Sequence, residues 1–290
     1  MSRMEKDENV LLIIRGRYSS MTKAEKKVAD YILENPKNVR FMSITDLADA
    51  CHVGYTSVFR FCKTLKLHGY QDFRIRLSMS LMDDGDGENE LLPAAITIND
   101  TIDTAAKKLM QSHINAITET NAMLDAKMLQ EATDYINQAD QVRFFGLGGS
   151  HITAMEGMFK FLHIMPNVYC LSDTHMQIMG ASTLNEKDVA IFVSQSGANK
   201  EIVEMAKKAK KGGAKTISIT QHTNSPLAAY SDVLLLCGGY DSPLEGVSSC
   251  AKIAQLYVLD LLYTQVYRIR FDYSKSINFQ VAESTIDKDY

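Results

Sequence analysis

Apolar positions along the chain change rhythm once, near residue 100. Before it they recur at helical spacing. Thr22-Lys-Ala-Glu25 reads as a capping box, with the hydroxyl and the carboxylate each satisfying a backbone N–H. The helix it opens has Ala24, Val28, Tyr31 and Ile32 at helical spacing, and Asn35-Pro36 stops it. Ser43-Ile-Thr-Asp46 is a second capping box, and Ile44, Leu47 and Ala48 face inward behind it. His52-Val53-Gly54 makes a turn, and a third helix carries Val58, Phe61, Cys62 and Leu65 on one face. Gly69 ends this unit, and Asp72 is expected to cap a helix running to about Met82.

Residues 83–90, DDGDGENE, hold no apolar residue and read as a linker. Two helices near 101–121 and 126–138 follow, and then the pattern turns to short apolar runs: VRFFG (142–146), NVYCL (167–171), VAIFV (189–193), TISIT (216–220) and VLLLC (233–237). Runs that are apolar on both faces belong in a parallel sheet with crossover helices. Helices near 199–211 and 248–268 are placed over it. The expected architecture is α/β: an all-α head over 1–82, a linker over 83–99, and a doubly wound parallel-sheet domain over 100–290.

Charge sharpens this division. Residues 1–82 carry 14 Lys/Arg against 9 Asp/Glu, a balance of +5, while the remainder carries 17 against 26, a balance of −9. A basic head on an acidic body suits a nucleic-acid reader. The five cysteines, Cys51, Cys62, Cys170, Cys237 and Cys250, are scattered without CxxC spacing, so reduced thiols and no structural metal are expected. The polar start MSRMEKDENV is unlike a signal peptide, and no apolar run approaches the ~20 residues of a membrane span, so a cytoplasmic location is expected.

The stretch 43–65 has the form of a helix-turn-helix, in which the second helix enters the major groove while the first braces it. On helix 55–66 the positions turned from the apolar stripe include Thr56, Ser57, Arg60 and Lys63. Arg pairs guanine through two hydrogen bonds, and Ser, Thr and Lys reach bases or phosphates. Thr22, Lys23, Lys26 and Lys27 offer further phosphate contacts. From Met21 to Leu81 the chain also resembles the N-terminal domain of RpiR-type bacterial regulators. The resemblance rests on MTKAE, ENP, SITDLA, GYTSVFRFC and GYQDF. Gly54 stands where that family usually has a capping serine, a difference of a few tenths of a kcal/mol.

A second constellation lies in the sheet region. VRFFGLGGS puts a glycine-rich turn after an apolar strand and ahead of a helix (151–162), and VAIFVSQSGANKE repeats the arrangement. Ligands of open α/β sheets bind beyond the carboxyl ends of strands, and helix N-termini favour anions. Ser150, Ser194 and Ser196 add hydroxyls, and Gly197 admits close approach of the backbone. The pair of turns resembles the SIS (sugar isomerase) domain, a flavodoxin-like fold that follows the helix-turn-helix in RpiR-type proteins. The resemblance spans about 125–270. Its G-x-G-x-S turn is Gly146, Gly148 and Ser150, and its S-x-S-G-x-T turn is Ser194, Ser196, Gly197 and Asn199, with asparagine replacing threonine. HTNSPLAAYSD (222–232) matches a further family segment, and Glu245 matches the acidic residue many SIS domains turn toward the sugar. The resemblance implies phosphosugar contacts at Gly148, Ser150, Ser194, Ser196, Gly197, Asn199 and Glu245.

SIS domains also occur in aldose–ketose isomerases, so an enzyme stands as the alternative. Its general base would be Glu245, with His151, His175 or His222 as partners. A scaffold that only dimerises is a third reading. A DNA-reading head would be superfluous for a metabolic isomerase. The sequence therefore favours a regulator of sugar metabolism, without catalytic residues or cofactor, whose operator affinity a phosphosugar controls. Its expected partners are double-stranded operator DNA, the phosphorylated sugar and further copies of itself as a dimer or tetramer, with helices 101–121 and 248–268 (Leu256, Leu259, Tyr263) as dimer surfaces.

Overall fold

The computed structural model describes residues 9–40, 42–83, 96–239 and 249–283. The chain divides into two compact units: of the described residues, the first holds those up to Ser112, and the second those of His113–Gly239 and from Ser249 onward.

In the first unit α1 (Val10–Arg17), α2 (Lys23–Glu34), α3 (Pro36–Val39), α4 (Ile44–Ala50), α5 (Tyr55–Thr64) and α6 (Tyr70–Asp83) surround one core. Both capping boxes are formed, from Thr22 with Glu25 and from Ser43 with Asp46. Pro36 ends α2 and then serves as the first residue of α3, where its missing N–H costs nothing. Val28, Ile32, Leu47, Val58, Phe61 and Phe73 are wholly buried, and the Phe61 and Phe73 rings meet edge to face at 5.9 Å. Helix α6 begins two residues earlier than the expected cap. Asp72 lies in its first turn, where its carboxylate accepts the N–H of His68 and pairs with Arg76. Helix α1 has no counterpart in the pattern reading, because an apolar run as short as VLLII fits strand and helix equally. Asn9 caps it, and Val10 N–H donates to Ser80 Oγ in α6.

Helix α7 (Ile102–Met123) spans the division between the units. The second unit then runs α8 (Ala126–Gln138), β1 (Gln141–Gly146), α9 (Gly149–Leu162), β2 (Val168–Cys170), α10 (Thr174–Ser182), β3 (Asp188–Val193), α11 (Lys200–Lys211), β4 (Lys215–Thr220), β5 (Val233–Leu236), α12 (Ser249–Ile269) and α13 (Phe271–Glu283). All strand pairs are parallel, in the order β2-β1-β3-β4-β5. Alternate residues face opposite layers. Val142, Phe144, Ile191 and Val193 pack with α8, α9 and α12, whereas Phe145, Ala190 and Phe192 pack with α10 and α11. Every residue of β3 is buried, as a central strand covered on both faces requires.

Helix α12 cannot offer Leu259 to a second subunit, contrary to the sequence expectation. Leu259 is wholly buried under the sheet, and Tyr263 leans on Phe161 at 5.9 Å. Leu256 and Tyr263 stay half-buried, so of the three residues Leu259 alone is withdrawn from the surface. All five cysteines are free, and burial pushes the thiols of Cys51 and Cys170 up to about 11.

Candidate functional site

Two sites are built separately, one in each unit. In the first, α4 is closed by Val53 N–H donating to the Ala48 carbonyl, and the chain turns through His52, which takes the left-handed conformation (φ 52°). Gly54 is extended and stands at the N-cap of α5 without a side-chain cap, so the glycine's latitude is not what makes the turn. Helix α5 buries Val58, Phe61 and Cys62. Its exposed face carries Tyr55, Thr56, Phe59, Arg60 and Lys63, with Ser57 half-buried at the edge. Of the four side chains expected to meet DNA, three are exposed on this face.

The aromatic rings of Tyr55 and Phe59 were missed by the sequence reading, which looked for polar types on this helix. Phe59 lies beneath the Lys63 ammonium, 5.4 Å from ring centroid to nitrogen, and Lys63 also donates to the His68 carbonyl at 2.7 Å. The far end of α5 is pinned: Thr64 Oγ1 donates to Glu25 Oε1 at 2.7 Å, and Arg17 donates to the Thr64 carbonyl. Burial pushes the Glu25 carboxyl up, but hydrogen bonds from Thr64 and Thr22, with Arg60 nearby, outweigh it and hold the group low.

In the second unit the chain leaves β1 and β3 at adjacent points, since Gly146 pairs in register with Val193. In the order β2-β1-β3 this is where the connections diverge to opposite faces, the place where open α/β sheets form a crevice. The first turn, Gly148 to Ser150, uses a backbone conformation (φ 56°, ψ −128°) closed to side-chain-bearing residues, and it delivers α9 with no side-chain cap. His151 N–H turns back to the Gly148 carbonyl at 3.1 Å, and a helix start without a side-chain cap of this kind suits an anion. Gln177 of α10 clamps the base of this turn, accepting from Gly146 N–H at 3.2 Å and donating to the Gly146 carbonyl at 3.1 Å.

The second turn, Ser194 to Asn199, is tied differently. Ser194 N–H donates to the Ile219 carbonyl, and Ser196 Oγ accepts from Ala198 N–H at 3.3 Å. Asn199 Oδ1 caps α11, accepting from Glu201 N–H at 2.8 Å and Ile202 N–H at 3.2 Å. The N-terminus of α11 is thus already occupied by its own cap, in contrast to α9. Gly197 has φ 57°, and a Cβ there would sit 2.3 Å from Ser225 Oγ. Gly197→Ala should lower the melting midpoint of the second unit, by about 2–4 kcal/mol of stability, because left-handed strain adds to overpacking. An unchanged calorimetric transition would show that the turn relaxes freely.

Beneath the two turns runs a polar chain that the sequence reading also missed. Thr153 of α9 donates to Gln255 of α12 at 3.1 Å, and Gln255 donates to Gln195 Oε1 at 3.2 Å. Gln195 Nε2 donates to Gln221 at 3.1 Å and to the Gly239 carbonyl at 2.9 Å. Gln195, in the middle of the second turn, is thereby joined to the first turn's helix, to β4 and to the chain leaving β5. Glutamines separated by tens of residues carry no local signal of such a chain.

The histidines named for acid–base work lie on three different elements: His151 Nδ1 is 3.9 Å from Cys170 Sγ, His175 is exposed on α10, and His222 is buried after β4. Glu245 lies outside the described residues. Among the described residues no cluster of potential metal ligands occurs, and no helix is long and apolar enough to cross a membrane.

A helix-turn-helix domain of the rpiR family matches residues 8–84, and a SIS domain matches 135–264. An uncharacterized HTH-type transcriptional regulator of Caldanaerobacter subterraneus is 36% identical over 266 residues, covering 91% of this chain and 92% of that one. The HTH-type transcriptional regulator HexR of Pseudomonas aeruginosa is 33% identical over 264 residues, covering 89% of each. The NanR protein of Vibrio vulnificus, solved in complex with ManNAc-6P, superposes with a TM-score of 0.84 at 28% identity, over 97% of this chain and 100% of that one. Head, sheet and full-length likeness agree: the chain belongs to the RpiR family of helix-turn-helix transcriptional regulators, whose second domain is a SIS domain.

Proposed function

We propose that a phosphorylated sugar binds across the turns at Gly148–Ser150 and Ser194–Asn199 and sets the affinity of the α5 helices for an operator. In this reading residues 1–82 form the DNA-reading head, 83–99 a linker and 100–290 the sensor, and two or four copies present their α5 helices to a pseudo-palindrome. Thr56, Ser57, Arg60 and Lys63 meet bases and phosphates, and Tyr55 and Phe59 supply apolar contact of the kind thymine methyls accept.

The observation that carries the reading is the in-register pairing of Gly146 with Val193, which starts two hydroxyl-bearing turns side by side at the switch point, one of them opening an uncapped helix. The ManNAc-6P held by NanR supports a sugar phosphate as the effector class. Binding without turnover is preferred to isomerisation because the relatives are named as regulators.

The test measures operator affinity by fluorescence anisotropy with and without a panel of sugar phosphates, and follows the same sugars by NMR. A shift of roughly 5–150-fold, matched by an equal shift of sugar affinity when operator is present, is expected. Sugar interconversion that disappears in Glu245→Gln would establish the enzyme instead.

A further inference from the structure

Given the two-turn site of the preceding subsection, on which this rests, we propose that Gln221 recognises the sugar end of the effector. Its side-chain Nε2, just beyond β4, donates to an oxygen of the sugar.

The polar chain beneath the turns has a direction. Gly239 offers a carbonyl, which only accepts, so the Gln195 atom 2.9 Å from it is the NH2 nitrogen. That fixes the Gln195 amide. Its Oε1 accepts from Gln255 Nε2 at 3.2 Å, and Gln255 Oε1 in turn accepts from the Thr153 hydroxyl at 3.1 Å. On the other side Gln195 Nε2 donates to Gln221 at 3.1 Å, and the atom that receives it is the oxygen. Each amide orientation follows from its neighbour's, and the carbonyl that sets them all cannot be flipped. The last amide therefore has its oxygen turned toward the chain and its NH2 turned away from it. Gln221 Nε2 is out of contact with water, and it has no hydrogen-bond partner among the described residues.

Buried donors without an acceptor are destabilising and rare in native proteins, so one that is kept calls for a reason. Here the deeper members of the chain, Thr153 and Gln255, are both satisfied, and the orphan is the half-buried residue at the sheet's ligand edge. Beyond β4 the backbone stays paired with the second turn. Ser194 N–H donates to the Ile219 carbonyl, and Gln221 N–H to the Gln195 carbonyl at 3.0 Å. Gln221 thus lies beside Gln195, the residue between Ser194 and Ser196. The strand order puts it on the far side of that turn from α9, one strand spacing of ~4.8 Å further along. A phosphate seated between the β1 and β3 turns would have this donor on the β4 side, where the sugar has to be placed.

The chemistry of the group sets what it selects. An NH2 that only donates is satisfied by a carbonyl or hydroxyl oxygen, whereas an amine or a bare C–H at the same point leaves it orphaned. The class it takes is a sugar phosphate with an accepting oxygen there. Because Nε2 is shut off from water, the effector reaches it only as the second turn adjusts. Contact at the sugar end and the shape of that turn are then linked.

The test separates the two ends of the effector. Isothermal titration of the full chain with phosphates of aldoses, ketoses, aldonates and N-acylhexosamines reads the whole molecule, and a phosphorus NMR titration with inorganic phosphate reads the anion alone. Gln221→Met removes the donor without adding charge, and Gln195 keeps the Gly239 carbonyl. Gln221→Glu keeps an oxygen for Gln195 and replaces the donor with an acceptor. Each is expected to weaken the tightest sugar phosphate of the wild type by about 10–100-fold, to leave inorganic phosphate within about 2-fold, and to melt close to the wild type. An unchanged sugar-phosphate affinity in Gln221→Met would overturn the assignment and leave the two-turn site standing. Equal losses of inorganic phosphate and sugar phosphate, or a marked fall in melting temperature in both variants, would make Gln221 a prop of the second turn and overturn it as well. A wild type that binds none of the sugar phosphates would overturn the site itself, and the role of Gln221 with it.

Discussion

Arg60→Ala is expected to weaken binding to an operator fragment by about 10–100-fold and to flatten the preference at one base position. A bidentate arginine–guanine pair contributes about 1–3 kcal/mol of discrimination. The site explains why Arg60 should carry more than its neighbours. Lys63 is drawn to the His68 carbonyl and lies over Phe59, so its ammonium is already shared within the unit. Thr56 has a shorter reach, and Ser57 is half-buried. Lys63→Ala should accordingly cost less, act on all sequences alike and reduce the salt slope by roughly one counterion, the signature of a phosphate contact. Sugar-phosphate binding should be untouched in both variants, because no residue of α5 belongs to the second unit. Anisotropy titrations against matched and mismatched fragments at two salt concentrations separate these effects. If Arg60→Ala binds the selected operator as tightly as the wild type, α5 does not read bases through this residue.

What the sequence disclosed and what it hid follow a physical division between local and non-local determinants. Capping boxes are local: a hydroxyl and a carboxylate three residues apart announced the starts of α2 and α4. Strands β1, β3, β4 and β5 were equally legible, because a parallel sheet covered on both faces demands uninterrupted apolar runs. Helix α10 was passed over because THMQIMGAS mixes apolar and small residues without a clean stripe, although Asp173 caps it. Asp72 was misplaced by position and not by type: its carboxylate does reach back to a backbone N–H, from inside the helix.

The candidate ligand turns were visible as glycine and serine after apolar strands, but their unlike wiring was not. Asn199 spends its carbonyl oxygen on α11, while α9 starts uncapped. Gln177, Gln195 and Gln255 could not be found at all from sequence, since each acts on a backbone or amide brought near only by the sheet order. On α12 the stripe was visible, but its middle residue, Leu259, belongs to the sheet's own core. Periodicity says that a face is covered; only the fold says by what.

The double substitution Ser194→Ala with Ser196→Ala is expected to leave operator affinity intact while removing the response to sugar phosphate. The first serine is buried at 7% exposure, and its N–H is fixed to β4, so the methyl of alanine fits without moving the turn. The second accepts from Ala198 N–H, a bond long enough at 3.3 Å that its loss is small against the loss of a hydroxyl facing an anion. Two charge-assisted hydrogen bonds contribute roughly 3–6 kcal/mol between them, which exceeds the 1–3 kcal/mol over which an effector usually couples to DNA. The double variant should therefore show a sugar-phosphate affinity reduced by two orders of magnitude or more, and an operator affinity that no accessible sugar concentration alters. Isothermal titration reads the first quantity and anisotropy the second. Because linkage is reciprocal, operator should also lose its effect on whatever sugar binding remains. A double variant that keeps the wild-type response would move the effector away from the β3 turn. The uncapped end of α9, held by Gln177, would then be the place to look, with Ser150→Ala as the decisive comparison.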